Sequence, residues 1–276
     1  MGTTINTNVV SLNAQRNLAA SQSSLSTSMA RLSSGLRVNS AKDDAAGLAI
    51  AERMNTQVKG MNVAIRNAGD AISLSQTAEG ALGKVADSLQ RMRELAVQST
   101  NATNTAGDRS NLDAEFQQLN SEITRVLTGT KFNGTSLLNT AGTLDFQVGA
   151  NNAATDKISV STTDLTTGTG VSGVTAGGIT TAALSLTAMD DIDTAITEIS
   201  TARASFGAVQ NRFESVISNL QVAVENQSAS RGRIVDADFA AETANLSRTQ
   251  VLQQAGMAMV AQANSSPQGV LQLLRG

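Results

Sequence analysis

The chain has 276 residues, 41% of them hydrophobic but only 2% aromatic, and a net charge of −3 with acidic and basic residues mixed. It contains no Cys and no His, which removes thiol nucleophiles, disulfides, Cys/His zinc sites and an imidazole general base together. No basic stripe interleaved with aromatics speaks for nucleic acid, and no apolar run approaches the roughly 20 residues that span a bilayer, so neither nucleic-acid binding nor membrane insertion is expected.

With six Phe, no Trp and no Tyr, packing falls to Ala, Leu, Ile, Val and Met. A single proline, Pro267, leaves little to interrupt long helices. The first residues, Met1 to Asn8, carry no Lys or Arg and no apolar core segment, so they do not read as a secretory signal peptide.

Residues 1–40 place Ile5, Val9, Leu12, Leu18, Leu25, Met29, Leu32 and Leu36 in a background of Ser, Asn, Gln and Ala, an amphipathic but weak helical pattern. Ser40 to Asp44 then supplies a capping residue and two carboxylates where a helix would begin. A helix from about Leu48 to Ser99 would be roughly 80 Å long. Its seam is Met54, Val58, Met61, Ile65, Ala68, Ile72, Ser75, Glu79, Leu82, Val85, Leu89, Met92 and Ala96. Alternating steps of four and three give a period of about 3.5, the mark of a coiled coil, with only Ser75 and Glu79 polar. Methionines on this seam read as core filling.

Asn101 to Gly107 is a polar break. A shorter seam follows at Leu112, Phe116, Leu119, Ile123 and Val126, ending at Gly129, and predicts an antiparallel helical hairpin. From Thr130 to about Thr187 Gly and Thr dominate. Thr143–Val148 and Lys157–Ser161 alternate apolar and polar around Asn151-Asn152, which predicts a β-hairpin. Thr162 to Thr181 is expected to be an exposed loop. A second long seam then runs through Met189, Ile192, Ile196, Ile199, Arg203, Phe206, Gln210, Phe213, Ile217, Leu220, Val224 and Gln227. The last segment repeats the weak pattern, with Val235, Phe239, Leu246, Leu252, Met259, Leu271 and Leu274. The fold class is thus mainly α, long coiled-coil helices forming a rod with a small β-hairpin insertion. Weak helices lie outermost, and each needs the other or further copies of the chain to bury its stripe.

Residues 33–52, SSGLRVNSAKDDAAGLAIAE, resemble the N-terminal signature of the bacterial flagellins. Leu89 to Gln98, LQRMRELAVQ, resembles that family's second block, and Val251 to Gly256, Ala261 to Asn264 and Pro267 to Leu271 resemble its C-terminal block. The resemblance covers about residues 1–140 and 186–276. It implies a short flagellin whose ends, 1–42 and 233–276, pair as an inner-tube coiled coil. Residues 43–140 and 186–232 would form an outer-tube rod, and 141–185 a short β-hairpin with an exposed variable segment. Ser34 to Arg37 and Arg231 to Arg233 would fall near the links. The opening Met1-Gly2 departs from many relatives.

The resemblance further implies a non-enzymatic, cofactor-free subunit that polymerises into the flagellar filament for motility. It would be exported unfolded by the flagellar type III apparatus, with a secretion chaperone at its C-terminal segment. Filament cap and hook-junction proteins would be further partners. Leu25, Met29, Leu32 and Leu36, with Leu246, Leu252, Met259 and Leu271, would supply the filament contacts. Gln90, Arg91, Leu95 and Glu115 match the epitope that the vertebrate innate-immune flagellin receptor reads on free monomer. The runner-up is a hook–filament junction protein, which would lack one of the two conserved blocks. The zinc protease carried by some relatives needs H-E-x-x-H, and this chain has no His. Lys42-Asp-Asp44 is read as a helix start rather than a catalytic group.

Overall fold

The computed structural model describes residues 7–273, with side chains described through residue 265. The chain divides into two compact units, Met1–Thr56 with Asn226–Gly276, and Gln57–Glu225. Six α-helices and two small antiparallel strand pairs make up the described residues.

The terminal unit is built on α1 (Val9–Ser34) and α6 (Phe239–Leu273). Asn8 caps α1 by accepting a hydrogen bond from the Ser11 N–H at 3.0 Å. The helix stops at Gly35, whose φ of 73° lies in the left-handed region that a Cβ disfavours. Beyond it, Leu36 and Asp236 form an isolated antiparallel bridge. The Arg37 guanidinium donates to the Ile234 carbonyl at 2.6 Å, and the Ala237 N–H to the Gly35 carbonyl at 2.9 Å. Val38, Ala51 and Val235 are buried there, with Leu36, Leu48 and Ile234 packed around them. The unit therefore takes in the first turns of α2 (Ala45–Thr100) and the last turns of α5 (Ala182–Val235), and reaches beyond residues 42 and 233. Arg231 to Arg233 lie in the last turns of α5, just before the break between Val235 and Phe239.

Asp44, not Ser40, caps α2, accepting from the Gly47 N–H at 2.8 Å. Asp43 instead ties the preceding turn together through the Ser40 hydroxyl and the Ser40 and Asn39 N–H groups.

In the second unit the long seams do what their period predicts. Ala68, Ser75, Leu82, Val85, Leu89, Met92 and Ala96 of α2 are buried, as are Ile192, Ile199, Phe206 and Phe213 of α5. The two seams' polar members meet. Glu79 accepts from the Gln210 amide at 2.9 Å and lies 3.9 Å from Arg203, while Ser75 returns its hydroxyl to the Ala71 carbonyl. With Arg93 on Asp193, these pairs run α2 and α5 antiparallel.

Helix α3 (Ala106–Gly129) starts at a reciprocal capping box, Thr105 and Asp108 each bonding the other's backbone. It returns along α2, with Phe116, Ile123 and Leu127 buried. Strands β1 (Lys131–Phe132) and β2 (Thr135–Ser136) pair across Asn133-Gly134, whose φ values are 48° and 81°. Strands β3 (Gly142–Gln147) and β4 (Lys157–Thr162) form the expected hairpin, with Leu144 opposite Val160 and Phe146 opposite Ile158.

The expected exposed loop at 162–181 is corrected by the structure. Thr162, Leu165, Val171, Val174 and Ile179 are buried, and α4 (Thr169–Ala176) lies in this stretch. Asn120 donates to the Thr175 carbonyl at 3.0 Å, and Asp113 accepts from the Ile179 N–H at 2.7 Å. Glu198 accepts from the Gly170 N–H. At Gly170 a Cβ would collide with the Ala195 backbone, so α4 sits directly on α5. Removing Thr162 to Thr181 would therefore take out core, not loop.

Candidate assembly surface

The geometry of α1 on α6 separates two kinds of residue. The pair runs antiparallel. The Asn8 amide donates to the Ala263 carbonyl at 2.7 Å, the Ser11 hydroxyl to Asn264 Oδ1 at 2.7 Å, and Arg31 lies 3.9 Å from Glu242 at the other end. A Cβ on Gly256 would come within 3.1 Å of Leu18. Among the described residues, the side chains buried in α1 and α6 are small or polar: Ser11, Ser28, Glu242, Thr249 and Ala263.

Leu18, Leu25, Leu32 and Leu246 are half-buried in step with them, but many of the large apolar side chains stay in water. Val9, Val10, Leu12, Met29, Phe239, Val251, Leu252, Met257 and Met259 are all exposed, from 49% at Leu252 to 65% at Val10. Val10, Leu18, Leu252 and Met259 are among the residues lining a groove of about 310 Å³. A set of this size left in water is not how isolated folded units dispose of leucine and methionine.

Of the sequence-derived assembly residues, the structure brings Leu252 and Met259 together in the groove and leaves Met29 exposed on α1. Leu25, Leu32 and Leu246 are half-buried. Leu36 is corrected: it packs on the Val38, Ala51 and Val235 cluster rather than on an outward face. The Leu271 side chain lies outside the described residues. Val10, Val251 and Met257 were missed, because a stripe drawn through the leucines passes beside them.

The second residue group lies on α2 and α3. Arg91 bridges Glu94 and Glu115, each at 2.9 Å, and Gln90 beside it is exposed. Hydrogen bonds that Arg91 donates to Glu94 and then to Glu115 raise its pKa, holding it charged. Arg93 forks onto Asp193 at 2.6 and 3.1 Å, and that hydrogen bonding holds the Asp193 carboxyl below its ordinary range. Leu95 is corrected as a surface residue. It is 1% exposed, inside the core, since α3 and α5 flank α2 at this level and widen the buried stripe beyond the heptad seam.

Among the described residues no three His, Cys, Asp or Glu side chains gather as a metal site, and no helix is long and apolar enough to cross a membrane.

Comparison with known proteins fits this arrangement. Residues 5–143 match the bacterial flagellin N-terminal helical region, and residues 189–274 the bacterial flagellin C-terminal helical region. This chain is a bacterial flagellin. A flagellin of Halalkalibacterium halodurans is 47% identical over 98% of this chain and 99% of its own length. The Bacillus subtilis flagellin is 40% identical, with the same two coverages. The crystal structure of Bacillus cereus flagellin is 35% identical, with a TM-score of 0.50 over 56% of this chain and 88% of that one. A putative flagellar hook-associated protein from Vibrio parahaemolyticus shares the fold alone, at 13% identity and a TM-score of 0.59 over 70% of this chain and 100% of that chain. The flagellin is a structural subunit of the flagellar filament, the extracellular organelle of motility, and not an enzyme. Its partner in that role is itself.

Proposed function

We propose that copies of this flagellin join the filament through the apolar side chains that α1 and α6 leave exposed, Val10, Leu252 and Met259 at one groove and Met29 further along α1. The observation that carries this is the set of large apolar side chains left exposed on the terminal pair, where the fully buried positions go to small or polar residues. A filament grows from unlike surfaces whose rotation does not close, and two different helices presenting different apolar residues supply them. Half-buried Leu25, Leu32 and Leu246 fall in step with buried Ser11, Ser28, Glu242 and Thr249, on the side where α1 meets α6, and steady the pair that presents this face. Burial of this area at about 25 cal/mol per Å² drives addition, and the ordering of the ends opposes it, so growth is reversible.

The same face is what a secretion chaperone would cover at the C-terminal segment before unfolded export through the type III route. It is also what filament cap and hook-junction proteins would meet. On free monomer, Gln90, Arg91 and Glu115 form an exposed polar patch that we assign to recognition by the vertebrate innate-immune receptor. Leu95 supports that patch from the core rather than touching a partner. The hook–filament junction reading is disfavoured because Leu89–Gln98 and Val251–Leu271 are both present.

Removal of residues 236–276 is expected to leave a soluble helical monomer, since both long seams remain, but one that fails to polymerise in seeded growth followed by light scattering. Normal long filaments from that chain would refute the reading. Arg91→Ala is expected to weaken receptor activation by monomer with unchanged helicity in circular dichroism. Wild-type monomer inert toward the receptor would contradict the second assignment.

A further inference from the structure

Of the side chains that peroxides oxidise readily, this flagellin carries methionine alone. It has no Cys, Trp, Tyr or His, but eight Met. Oxidative chemistry is therefore confined to thioethers, and the structure sorts these sharply. Met29 is 57% exposed, Met257 52% and Met259 61%. Met92, at 0%, is sealed in the rod core. Met54, Met61 and Met189 are half-buried, Met189 against that same core. Among the described residues the three open thioethers belong to α1 and α6, and Met259 lines the apolar groove with Val10, Leu18 and Leu252.

We propose that Met29, Met257 and Met259 are the oxidation sites of the free subunit, and that their conversion to sulfoxide by peroxide withholds the subunit from filament growth until it is reduced. The inference rests on the assembly face proposed above. In the step itself a thioether lone pair attacks one peroxide oxygen and the O–O bond breaks. An S–O bond forms, and the other oxygen leaves as water once protonated. Sulfur is oxidised by two electrons and the peroxide is reduced. The product is a polar, chiral side chain where an adaptable apolar one stood. Packing it against the apolar surface of the next copy buries an S–O dipole that had been solvated. The step is reversible, because methionine sulfoxide reductases restore the thioether. Subunits already in a filament have this face covered and are protected, so the chemistry discriminates free from assembled protein.

The test uses the full chain and hydrogen peroxide. Peptide mass spectrometry of treated monomer is expected to show sulfoxide at Met29, Met257 and Met259 well before Met92. Seeded growth of that material is expected to show a critical concentration about tenfold higher, the change that about 1.4 kcal/mol of lost contact energy produces. Treatment with both sulfoxide reductases and a thiol should restore it. In a Met29→Leu, Met257→Leu, Met259→Leu chain, a swap that conserves volume, peroxide should leave the critical concentration where it stands for the same variant untreated. If the triple variant does not polymerise, Met259→Leu alone and the reductase reversal on wild type decide the matter. Full oxidation of the three sites with no change in growth, or Met92 oxidised as fast as Met259, would overturn the proposal. Untreated wild-type protein that never polymerises would instead overturn the assembly reading, which the order of oxidation does not depend on.

Discussion

The rod unit and the terminal pair are made of similar helices and use them in opposite ways. In the rod, Leu82, Leu89, Met92, Phe116 and Phe213 are buried, and the polar seam residues Glu79, Arg203 and Gln210 find one another. In the terminal pair, Ser11, Ser28 and Thr249 are buried while Leu252 and Met259 stay in water. The rod closes its hydrophobic account within one chain. The terminal pair holds itself by small-residue contact, half-buried leucines and a few polar bonds, and leaves much apolar surface exposed, the surface proposed above to meet other copies. Stability and assembly are thereby assigned to different residues, and substitutions should separate them.

The largest effect on the monomer is expected at Phe213, which is fully buried and meets Phe146 edge to face at 5.7 Å. Phe213→Ala should destabilise the rod by about 3–5 kcal/mol, read from urea unfolding by circular dichroism. A loss below about 1 kcal/mol would mean the seam is not where the rod's stability resides.

A smaller effect is expected at the start of α3. Thr105→Ala removes a capping box and should cost about 1 kcal/mol. Its pH dependence follows from Asp108, whose pKa is lowered by the Thr105 hydroxyl first and the Thr105 N–H second. A carboxyl depressed in the folded state stabilises above its unfolded pKa, and the benefit is lost as pH falls through the folded value. Wild type and Thr105→Ala should therefore converge in stability as acid titrates Asp108. A difference that persists unchanged through that range would contradict the capping role.

Much of the rod was legible because its signal is long and periodic. Thirteen seam positions from Met54 to Ala96 predict one face, and the structure buries or half-buries every one. The β3–β4 hairpin was legible from alternation over five or six residues. The β1–β2 hairpin was not, since two-residue strands show no alternation, although Asn133-Gly134 is a strong turn pair. The stretch 162–181 misled because its core residues, Leu165, Val171, Val174 and Ile179, have no period and sit among Gly and Thr. Their burial comes from α3 and α5, which are distant in sequence. In the terminal helices the leucines announced an amphipathic face, but pattern alone could not tell which way it points. That direction is set by which partner residues are small enough for close approach, as at Gly256 on Leu18 and Ser11 beside Asn264. Leu95 shows the converse limit. A motif match marked it as a contact, and only packing on two sides of α2 reveals it as core.

The smallest expected effect on the monomer is the most informative. Leu252 is half exposed in the groove, so Leu252→Asp should leave monomer unfolding within about 0.5 kcal/mol of wild type. In the filament the same carboxylate would be buried against an apolar surface. The decisive measurement is the critical concentration for seeded growth of Leu252→Asp beside its urea midpoint. The account predicts an unchanged midpoint and a critical concentration raised at least about tenfold. Equal critical concentrations for the two proteins would show that the outward face of α1 and α6 does not hold the filament together.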